Sequence, residues 1–487
     1  LAVATPSATS APGALFAELD AMVEAAMAQR HIPGVAVGVL YQGEEYVRGY
    51  GVTNVDSPQP VDGDTLFRIG SITKTFTGTA VMRLVERGLL ELEAPVRRYL
   101  PALQLADESV AARVTVRQLL NHSAGWLGDD YADFGRGDDA QALYAETMWQ
   151  LPQLTPLGEV FAYNNAAADL AGYLVAAVTG SVYEDALEDL VLGPLGLDHS
   201  GFFTDELIGY TIAASHDVQG DRAVVDRAIW PIPRSLHATG GIISSVRDQL
   251  RYARFHLGEV AGTDGDPILS PDTLALMRSD PGPGGTLVFE IDGVCVSWWQ
   301  RRTAEGVPVF QHGGAWYGQN SDLLFVPEQD FAMVILTNSV NGPLLLNDIS
   351  YSGWALERFA GLSNPPAVPH DLEPAQLAEY EGEYVNLLIP TDRGAAMLAA
   401  QESPEDATAT PAAGASAVFE ADPIEIHVDG GGLRVRGALD LTLTFYRDDY
   451  ALTTDADGVV SRSDFLRGPD GRIAWYRNRG RLYRRQD

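Results

Sequence analysis

Ser71 and Lys74 lie three positions apart, a spacing that could make them a nucleophile and its base. On a helix, residues at this spacing stand side by side, one turn apart. A serine hydroxyl attacks only after a base takes its proton, and a lysine amine can be that base once burial lowers its pKa. We therefore predict an acyl-enzyme on Ser71 with Lys74 as the base.

Lysine usage supports this interpretation. Lys74 is the only lysine of the 487-residue chain, so arginine supplies the other 32 of the 33 basic residues. Arginine can replace lysine on a surface but cannot act as a base, because its pKa stays above about 12. The alternative is a lysine that survives by chance on a solvated helix face.

Tyr163 and Asn165, in the segment Tyr163-Asn164-Asn165, form a second candidate group. A phenol can carry protons when a cation beside it stabilises its anion, and an asparagine amide can both donate to and accept from a substrate. The alternative is a turn before the next helix, with Asn164 or Asn165 as the helix cap.

The third group is His312-Gly313-Gly314-Ala315, at the end of a strand-like segment. Paired glycines let a ligand approach the backbone, and an exposed edge can then hydrogen-bond an extended substrate. If His312 faces that substrate, its charge should change near the ordinary histidine pKa of about 6.5. The alternative is a plain turn with a surface histidine.

Periodicity and turn signals predict the elements that hold these groups. Ser71 follows a segment that leads into a buried helix, whose apolar stripe is Ile72, Phe76, Ala80 and Leu84. Strands are predicted at residues 35–41, 45–52, 306–312, 322–326 and 331–337, with a mostly helical middle. We expect one domain of helices and strands whose sheet is completed by distant segments.

A proline-rich linker at residues 363–375 divides the chain. It separates a main domain, residues 15–362, from a small antiparallel barrel, residues 376–487, where short runs alternate and are bounded by Gly and Asp. Residues 1–14 are predicted to be a flexible tail and residues 401–417 a disordered surface loop.

The end of the barrel is unusually basic for this acidic chain. Six arginines fall between Arg472 and Arg485. One interpretation is a hairpin whose arginines pair with surface carboxylates. The other is that the predicted C-terminal barrel packs near the active-site cleft and narrows the choice of substrate.

Three ordered segments carry a family resemblance: IGSITKTFT, then YNN, then QHGGAWYGQNSDLLFVPE. Together with HIPGVAVGVL, VRQLLNHSAGW and HATGGIISSVRDQLRYARF, they resemble the class C β-lactamase-like, penicillin-binding-protein-like serine hydrolases over about residues 15–360. That group includes DD-peptidases, D-aminopeptidases and family VIII carboxylesterases. The resemblance implies an α+β fold, with an antiparallel sheet flanked by helices and a helical subdomain. The C-terminal region more weakly resembles a lipocalin-like barrel.

The resemblance also implies roles for the site residues. Ser71 would be acylated, with Lys74 and Tyr163 as base and proton relay. Substrate would contact Asn165, His312, Gly313 and Gly314, and the backbone N–H groups of Ser71 and Ala315 would form the oxyanion hole. The third motif begins with His312 where class C β-lactamases usually have lysine, so the fixed charge that would hold a β-lactam carboxylate is missing.

Composition excludes other classes of function. The net charge is −33 and the pI is about 4.5, which disfavours nucleic acid as a partner. No apolar run reaches the roughly 18 residues of a membrane span, so we expect a soluble protein.

The single cysteine, Cys295, lies in an apolar run and is predicted to be a buried structural thiol. Neither an H-E-x-x-H motif nor a G-x-S-x-G elbow occurs, and no metal or other cofactor is expected.

We therefore expect a serine hydrolase of small amides, peptides or esters, of the peptidase, D-aminopeptidase or carboxylesterase type. One alternative is a β-lactamase. A second is a penicillin- or peptide-binding protein that is acylated slowly and does not turn over. The Ser/Thr/Pro/Ala-rich start fits signal cleavage and export to the periplasm or the outside, although other trimming would leave the same start. The sequence does not fix the oligomeric state.

Overall fold

The computed structural model describes residues 12–227, 231–388, 419–420 and 422–486. The predicted disordered loop at 401–417 and most of the predicted tail lie outside these residues, and residues 12–14 of that tail begin the first helix. The helices are α1 (Pro12–Arg30), α2 (Thr73–Glu86), α3 (Glu108–Ala111), α4 (Val116–Leu120), α5 (Ala140–Thr147), α6 (Asn165–Thr179), α7 (Tyr183–Leu187), α8 (Gly193–Leu195), α9 (His237–Gly240), α10 (Val246–Leu257), α11 (Pro271–Met277), α12 (Gly342–Leu346) and α13 (Pro374–Leu377).

The strands before the linker are β1 (Gly34–Tyr41), β2 (Glu44–Gly51), β3 (Leu66–Arg68), β4 (Ser200–Gly201), β5 (His216–Gln219), β6 (Arg222–Val225), β7 (Ile243–Ser245), β8 (Gly285–Thr286), β9 (Glu290–Ile291), β10 (Gly293–Val294), β11 (Trp299–Arg302), β12 (Pro308–Trp316), β13 (Gln319–Val326) and β14 (Phe331–Thr337). Seven of these described strands form the main sheet, in the order β10-β11-β12-β13-β14-β1-β2 with antiparallel neighbours. The pairing of β1 with β14 confirms that distant segments complete the sheet.

Both faces of the sheet are covered, since every residue of β1, β13 and β14 is buried. Val35, Val37 and Val39 pack with α1, while Ala36 and Leu40 lie in the larger core that includes α2 and α10. Successive strand residues point to opposite faces, so one valine-rich strand can serve two helical layers. The sheet with its helices forms the predicted α+β domain.

Helix α2 is the centre of the helical region, with Lys74 in its first turn and Ser71 in the short turn just before it. Its residues from Thr73 to Met82 are all buried, and it packs against α6 and α9. A helix enclosed on nearly all sides must be apolar around its circumference or must satisfy its polar groups internally. Its threonines do the latter, because Thr75 and Thr79 donate to backbone carbonyls of the preceding turn.

The C-terminal region forms a closed antiparallel barrel, as predicted. Its strands are β15 (Gly382–Leu388), β16 (Phe419–Glu420), β17 (Ile424–Asp429), β18 (Gly432–Gly437), β19 (Leu441–Arg447), β20 (Tyr450–Thr454), β21 (Val460–Arg467), β22 (Ile473–Asn478) and β23 (Arg481–Arg485). Eight of these described strands close the barrel by pairing β23 with β15, and β16 extends β15. The barrel has its own apolar core, which includes Tyr384, Phe445 and Phe465.

Candidate active site

Ser71 lies in a short turn that enters α2, facing the edge of β12. Gly70, just before it, has φ +50°, and a Cβ at this position would lie 2.6 Å from the backbone nitrogen of Ala315. Only glycine fits both the conformation and this close approach. The Ala315 backbone nitrogen therefore lies close to the residue that precedes Ser71, and an oxyanion hole formed by the N–H groups of Ser71 and Ala315 stays a prediction.

The four-residue segment His312-Gly313-Gly314-Ala315 lies within β12, which runs on to Trp316, so it is not a turn. Its glycines are required by close packing. A Cβ on Gly314 would lie 1.9 Å from the Ile69 carbonyl oxygen, and one on Gly313 would lie 2.8 Å from the Tyr351 hydroxyl. The glycines thus let the strand approach the Ser71 turn.

Lys74 points at the serine from inside the protein. Its Nζ lies 2.9 Å from Ser71 Oγ and 3.0 Å from the Thr239 carbonyl oxygen. Burial lowers the pKa of Lys74 from 10.5 to about 7; Asp169 opposes this shift, and the positive charge of Arg481 adds to it. A large share of the amines is therefore neutral near pH 7 and able to accept a proton.

Tyr163 lies beside this pair. Its ring centroid is 5.1 Å from Lys74 Nζ and 4.4 Å from Arg481 Cζ. Burial raises the pKa of Tyr163 to about 12, while the charge of Arg481 and the hydrogen bond with the Ser71 hydroxyl pull that pKa down. The structure thus brings Ser71, Lys74 and Tyr163 together, as the sequence predicted.

The Asn164 and Asn165 side chains make different hydrogen bonds. The Asn164 side chain caps α6 by accepting from the Ala167 N–H at 2.8 Å, which is the capping alternative considered from the sequence. Asn165 donates its amide to Asp129 at 2.9 Å. Its Oδ1 is buried and has no hydrogen-bond partner among the described residues. The free oxygen, not the amide nitrogen, is therefore available to a substrate.

His312 is buried and neutral. Its Nδ1 lies 2.7 Å from the Gly313 carbonyl oxygen, which can only accept, so Nδ1 carries the proton. Its ring stacks on Trp299 at 4.2 Å between centroids. Burial and the nearby Lys74 lower the pKa of His312 to about 3. The expected charge change near pH 6.5 was therefore wrong, because a fully enclosed imidazole cannot hold a proton at that pH.

Sequence reasoning missed Asp129 and the exact contribution of the barrel. The turn between β22 and β23 reaches the site: the Gly480 carbonyl accepts from the Tyr163 N–H at 2.8 Å, and Arg481 pairs with Asp129 at 3.0 Å. Of the two interpretations of the arginine-rich end, the position of Arg481 beside Asp129 and Tyr163 favours packing near the cleft, while an effect on substrate choice stays a prediction. Nothing in the local sequence marks Asp129 as its partner, since the two residues are 352 positions apart.

A second contact joins the barrel to the same segment. Arg477 and Asp464, both on the barrel and both 2% exposed, form an ion pair at 2.5 Å. Arg477 also donates to the Phe161 carbonyl at 2.6 Å, and Thr286 contacts Asp464. The segment that leads to Tyr163 is thus held by the barrel at two backbone carbonyl or amide groups.

In the described part of the chain, no group of three or more His, Cys, Asp or Glu side chains is placed to hold a metal ion. No single described helix is long and apolar enough to cross a membrane, although one bent pair, Asn165–Thr179 with Tyr183–Leu195, passes by length and composition. Cys295 is buried, as predicted, and burial raises the pKa of its thiol to about 12.

Comparisons with known proteins agree with this architecture. A family model described as Beta-lactamase matches residues 19–350. Penicillin-binding protein 4 of Amycolatopsis lactamdurans is 33% identical over 369 residues, covering 74% of this chain and 96% of that protein. A β-lactamase of Pseudomonas fluorescens is 31% identical over 240 residues, covering 49% of this chain and 64% of the relative.

Solved structures extend the likeness in fold to nearly the whole chain. The crystal structure of SurE superposes with a TM-score of 0.69 at 24% identity, covering 98% of this chain and 100% of that one. A class C β-lactamase from Rhodobacter sphaeroides has a TM-score of 0.54 at 24% identity and covers 67% of this chain and 96% of its own. The first match includes the barrel, and the second is confined to about two thirds of the chain.

Proposed function

Because the chain belongs to the β-lactamase family, we propose that it is a serine hydrolase that cleaves small amides or esters through an acyl-enzyme on Ser71. The observation that carries the proposal is the 2.9 Å contact between Lys74 Nζ and Ser71 Oγ, made by an amine whose pKa is lowered to about 7. In this proposal residues 15–362 are the hydrolase domain and 376–487 a barrel domain joined by the linker at 363–375.

Acylation begins when the neutral Lys74 amine takes the Ser71 proton. Ser71 Oγ then bonds to the substrate carbonyl carbon, and the carbonyl oxygen becomes an oxyanion between the backbone N–H groups of Ser71 and Ala315. Tyr163 passes a proton to the leaving amine or alcohol as the scissile bond breaks. Lys74 then returns its proton to the Tyr163 phenolate, so the amine is neutral again in the acyl-enzyme.

Deacylation reverses the proton flow. A water attacks the acyl carbon while the same Lys74–Tyr163 pair accepts its proton, and the acid is released as Ser71 recovers its hydrogen. No other basic group of the described residues lies in hydrogen-bond contact with Ser71. The two residues that activate the serine are therefore also proposed to activate the water.

Substrate choice rests on groups without fixed charge. Asn165 offers a free Oδ1, and His312 offers a neutral Nε2 that has no partner among the described residues. The strand edge at Gly313 and Gly314 lets an extended substrate approach the backbone. A neutral third motif favours a peptidase, D-aminopeptidase or carboxylesterase over an enzyme that holds a β-lactam carboxylate by a lysine.

Two other functions keep specific support. The match to a protein named β-lactamase supports β-lactam hydrolysis, and the match to one named penicillin-binding protein 4 supports penicillin binding. Neither name fixes the substrate of this chain.

One panel separates the three functions: p-nitrophenyl esters, D-amino acid amides and a chromogenic cephalosporin, compared by kcat/KM. The proposed function predicts steady turnover of esters or amides and a cephalosporin rate well below them. A β-lactamase would show the reverse order. A binding protein would release one equivalent of product in a burst and then stop, which would refute the proposed hydrolase.

A further inference from the structure

Arg481 places a permanent positive charge from the barrel domain against the proposed proton relay. It occupies the first position of β23, and its guanidinium lies over the Tyr163 ring at 4.4 Å from the centroid. The preceding residue, Gly480, accepts a hydrogen bond from the Tyr163 backbone N–H at 2.8 Å. A Cβ on Gly480 would lie 3.1 Å from the Tyr163 Cβ, so the turn is fitted closely to this residue.

The guanidinium is fixed in place by a carboxylate. Arg481 Nε donates to Asp129 Oδ2 at 3.0 Å, and a second guanidinium nitrogen donates to Oδ1 at 3.2 Å. Asp129 also accepts from the Asn165 amide and the Tyr131 hydroxyl. A two-point pair of this kind sets the orientation of the guanidinium plane.

The remaining titratable groups around Lys74 and Tyr163 do not supply such a charge. The imidazoles of His122 and His312, which flank the Tyr163 ring, are both buried, and burial lowers the pKa of each below its ordinary value. They are neutral at the pH where the enzyme would work. Lys74 itself must be neutral when it takes the serine proton.

Two carboxyls, Asp129 and Asp169, oppose Arg481 when they are ionised. Each ionised carboxyl favours the protonated form of Lys74, and Asp129 also disfavours an anion on Tyr163. Burial raises the pKa of Asp169 well above its usual value, which disfavours its charged form. The positive charge of Arg481 has the opposite effect on the protonation of Lys74 and of Tyr163. Its charge disfavours the ammonium form of Lys74 and favours the phenolate form of Tyr163.

We propose that Arg481 is a positioning residue for proton transfer, whose charge adds to burial in favouring the neutral form of Lys74 and stabilises the transient phenolate of Tyr163. The barrel domain is then part of the proton-transfer machinery. The inference rests on the proposed function, since it assumes that Lys74 and Tyr163 serve an acyl-enzyme on Ser71. It goes beyond that function by assigning a chemical task to the C-terminal domain.

The size of the effect follows from distance. Lys74 Nζ and Arg481 Cζ lie within about 10 Å of each other, because each is close to the same ring centroid. At that distance and an effective dielectric constant of about 20, one charge shifts the titration of another by about one pH unit. Removing Arg481 should therefore move the Lys74 titration to higher pH, and removing the Asp129 charge should move it to lower pH.

The test measures the rate constant for labelling of Ser71 by a fluorophosphonate probe from pH 5 to 10. In the wild type, we expect the rate to fall below about pH 7 as Lys74 becomes protonated. This fall in rate is the acidic limb of the profile, and Arg481→Gln should move it to higher pH by about one unit. Asp129→Asn should move it down, and Arg481→Lys, which keeps the charge, should restore most of the wild-type profile.

Arg447→Gln is the matched control. Arg447 is also a barrel arginine paired with a carboxylate of the main domain, Glu290, at 2.6 Å, but it does not contact Tyr163 or Asp129. Its removal weakens the same domain junction without changing the charge beside the relay. We expect its acidic limb to coincide with that of the wild type.

Opposite shifts in Arg481→Gln and Asp129→Asn support the inference, because a loss of structure alone would slow labelling without moving the limb in two directions. An unmoved limb in Arg481→Gln overturns it whatever Asp129→Asn does, as does a shift of both limbs in the same direction. If Arg481→Gln does not fold, Arg481→Met is measured in its place, and an unmoved or acid-shifted limb refutes the inference. A wild type that is not labelled at Ser71 would instead refute the proposed function.

Discussion

The pH dependence of turnover is the sharpest consequence of the burial of Lys74. Lys74 is 1% exposed, and removing its ammonium form from water lowers its pKa from 10.5 to about 7. At about 1.4 kcal/mol per pH unit, the protein disfavours the charged amine by about 5 kcal/mol relative to water. Below pH 7 each further unit should reduce the neutral fraction, and with it kcat/KM, about ten-fold.

The assay is kcat/KM for a neutral p-nitrophenyl ester between pH 5 and 10. We expect a plateau above about pH 8 and about 1% of the plateau value at pH 5. A neutral ester is used so that substrate ionisation does not contribute to the profile. Lys74→Arg keeps the charge but removes the base, and we expect it to be inactive across the range. A limb near pH 10, or an active arginine variant, would refute Lys74 as the base.

Three further predictions concern the surroundings of this pair. Gly70→Ala would force a Cβ to within 2.6 Å of the Ala315 nitrogen. We expect kcat to fall about 100-fold or more in a steady-state assay. A normal kcat would exclude Ala315 N–H as an oxyanion donor. Asp464→Asn should cost about 3 to 5 kcal/mol of unfolding free energy in guanidinium denaturation, because it leaves Arg477 buried without a counter-charge; a cost under 1 kcal/mol would contradict this. Because the pKa of His312 is lowered to about 3, the kcat/KM values of anionic and neutral esters should follow one pH profile from pH 5 to 9. A separate inflection near pH 6.5 for the anionic ester would show that His312 titrates there.

The local part of the site could be predicted from the sequence. Ser71 and Lys74 are neighbours because residues three apart on a helix share a face, and the hairpin of β1 and β2 follows from the turn at Gln42-Gly43. The apolar runs that became β13 and β14 likewise marked the centre of the sheet. Each of these signals depends on residues close together in the chain.

The features that the sequence did not predict correctly depend on contacts between distant segments. The charge state of His312 is set by its enclosure and by the nearby Lys74, neither of which a four-residue motif reveals. The pairing of Asp129 with Arg481 requires the barrel to dock on the main domain. The arginine-rich end indicated an unusual surface, but it could not indicate which arginine reaches the site.

The central claim is that Ser71 is the nucleophile of an acyl-enzyme. The most direct test is intact-protein mass spectrometry, with peptide mapping, after reaction with a fluorophosphonate probe. We predict a single adduct on Ser71 in the wild type, no adduct in Ser71→Ala, and loss of ester turnover in that variant. An adduct on a different serine in Ser71→Ala, or retained turnover by it, would contradict the account.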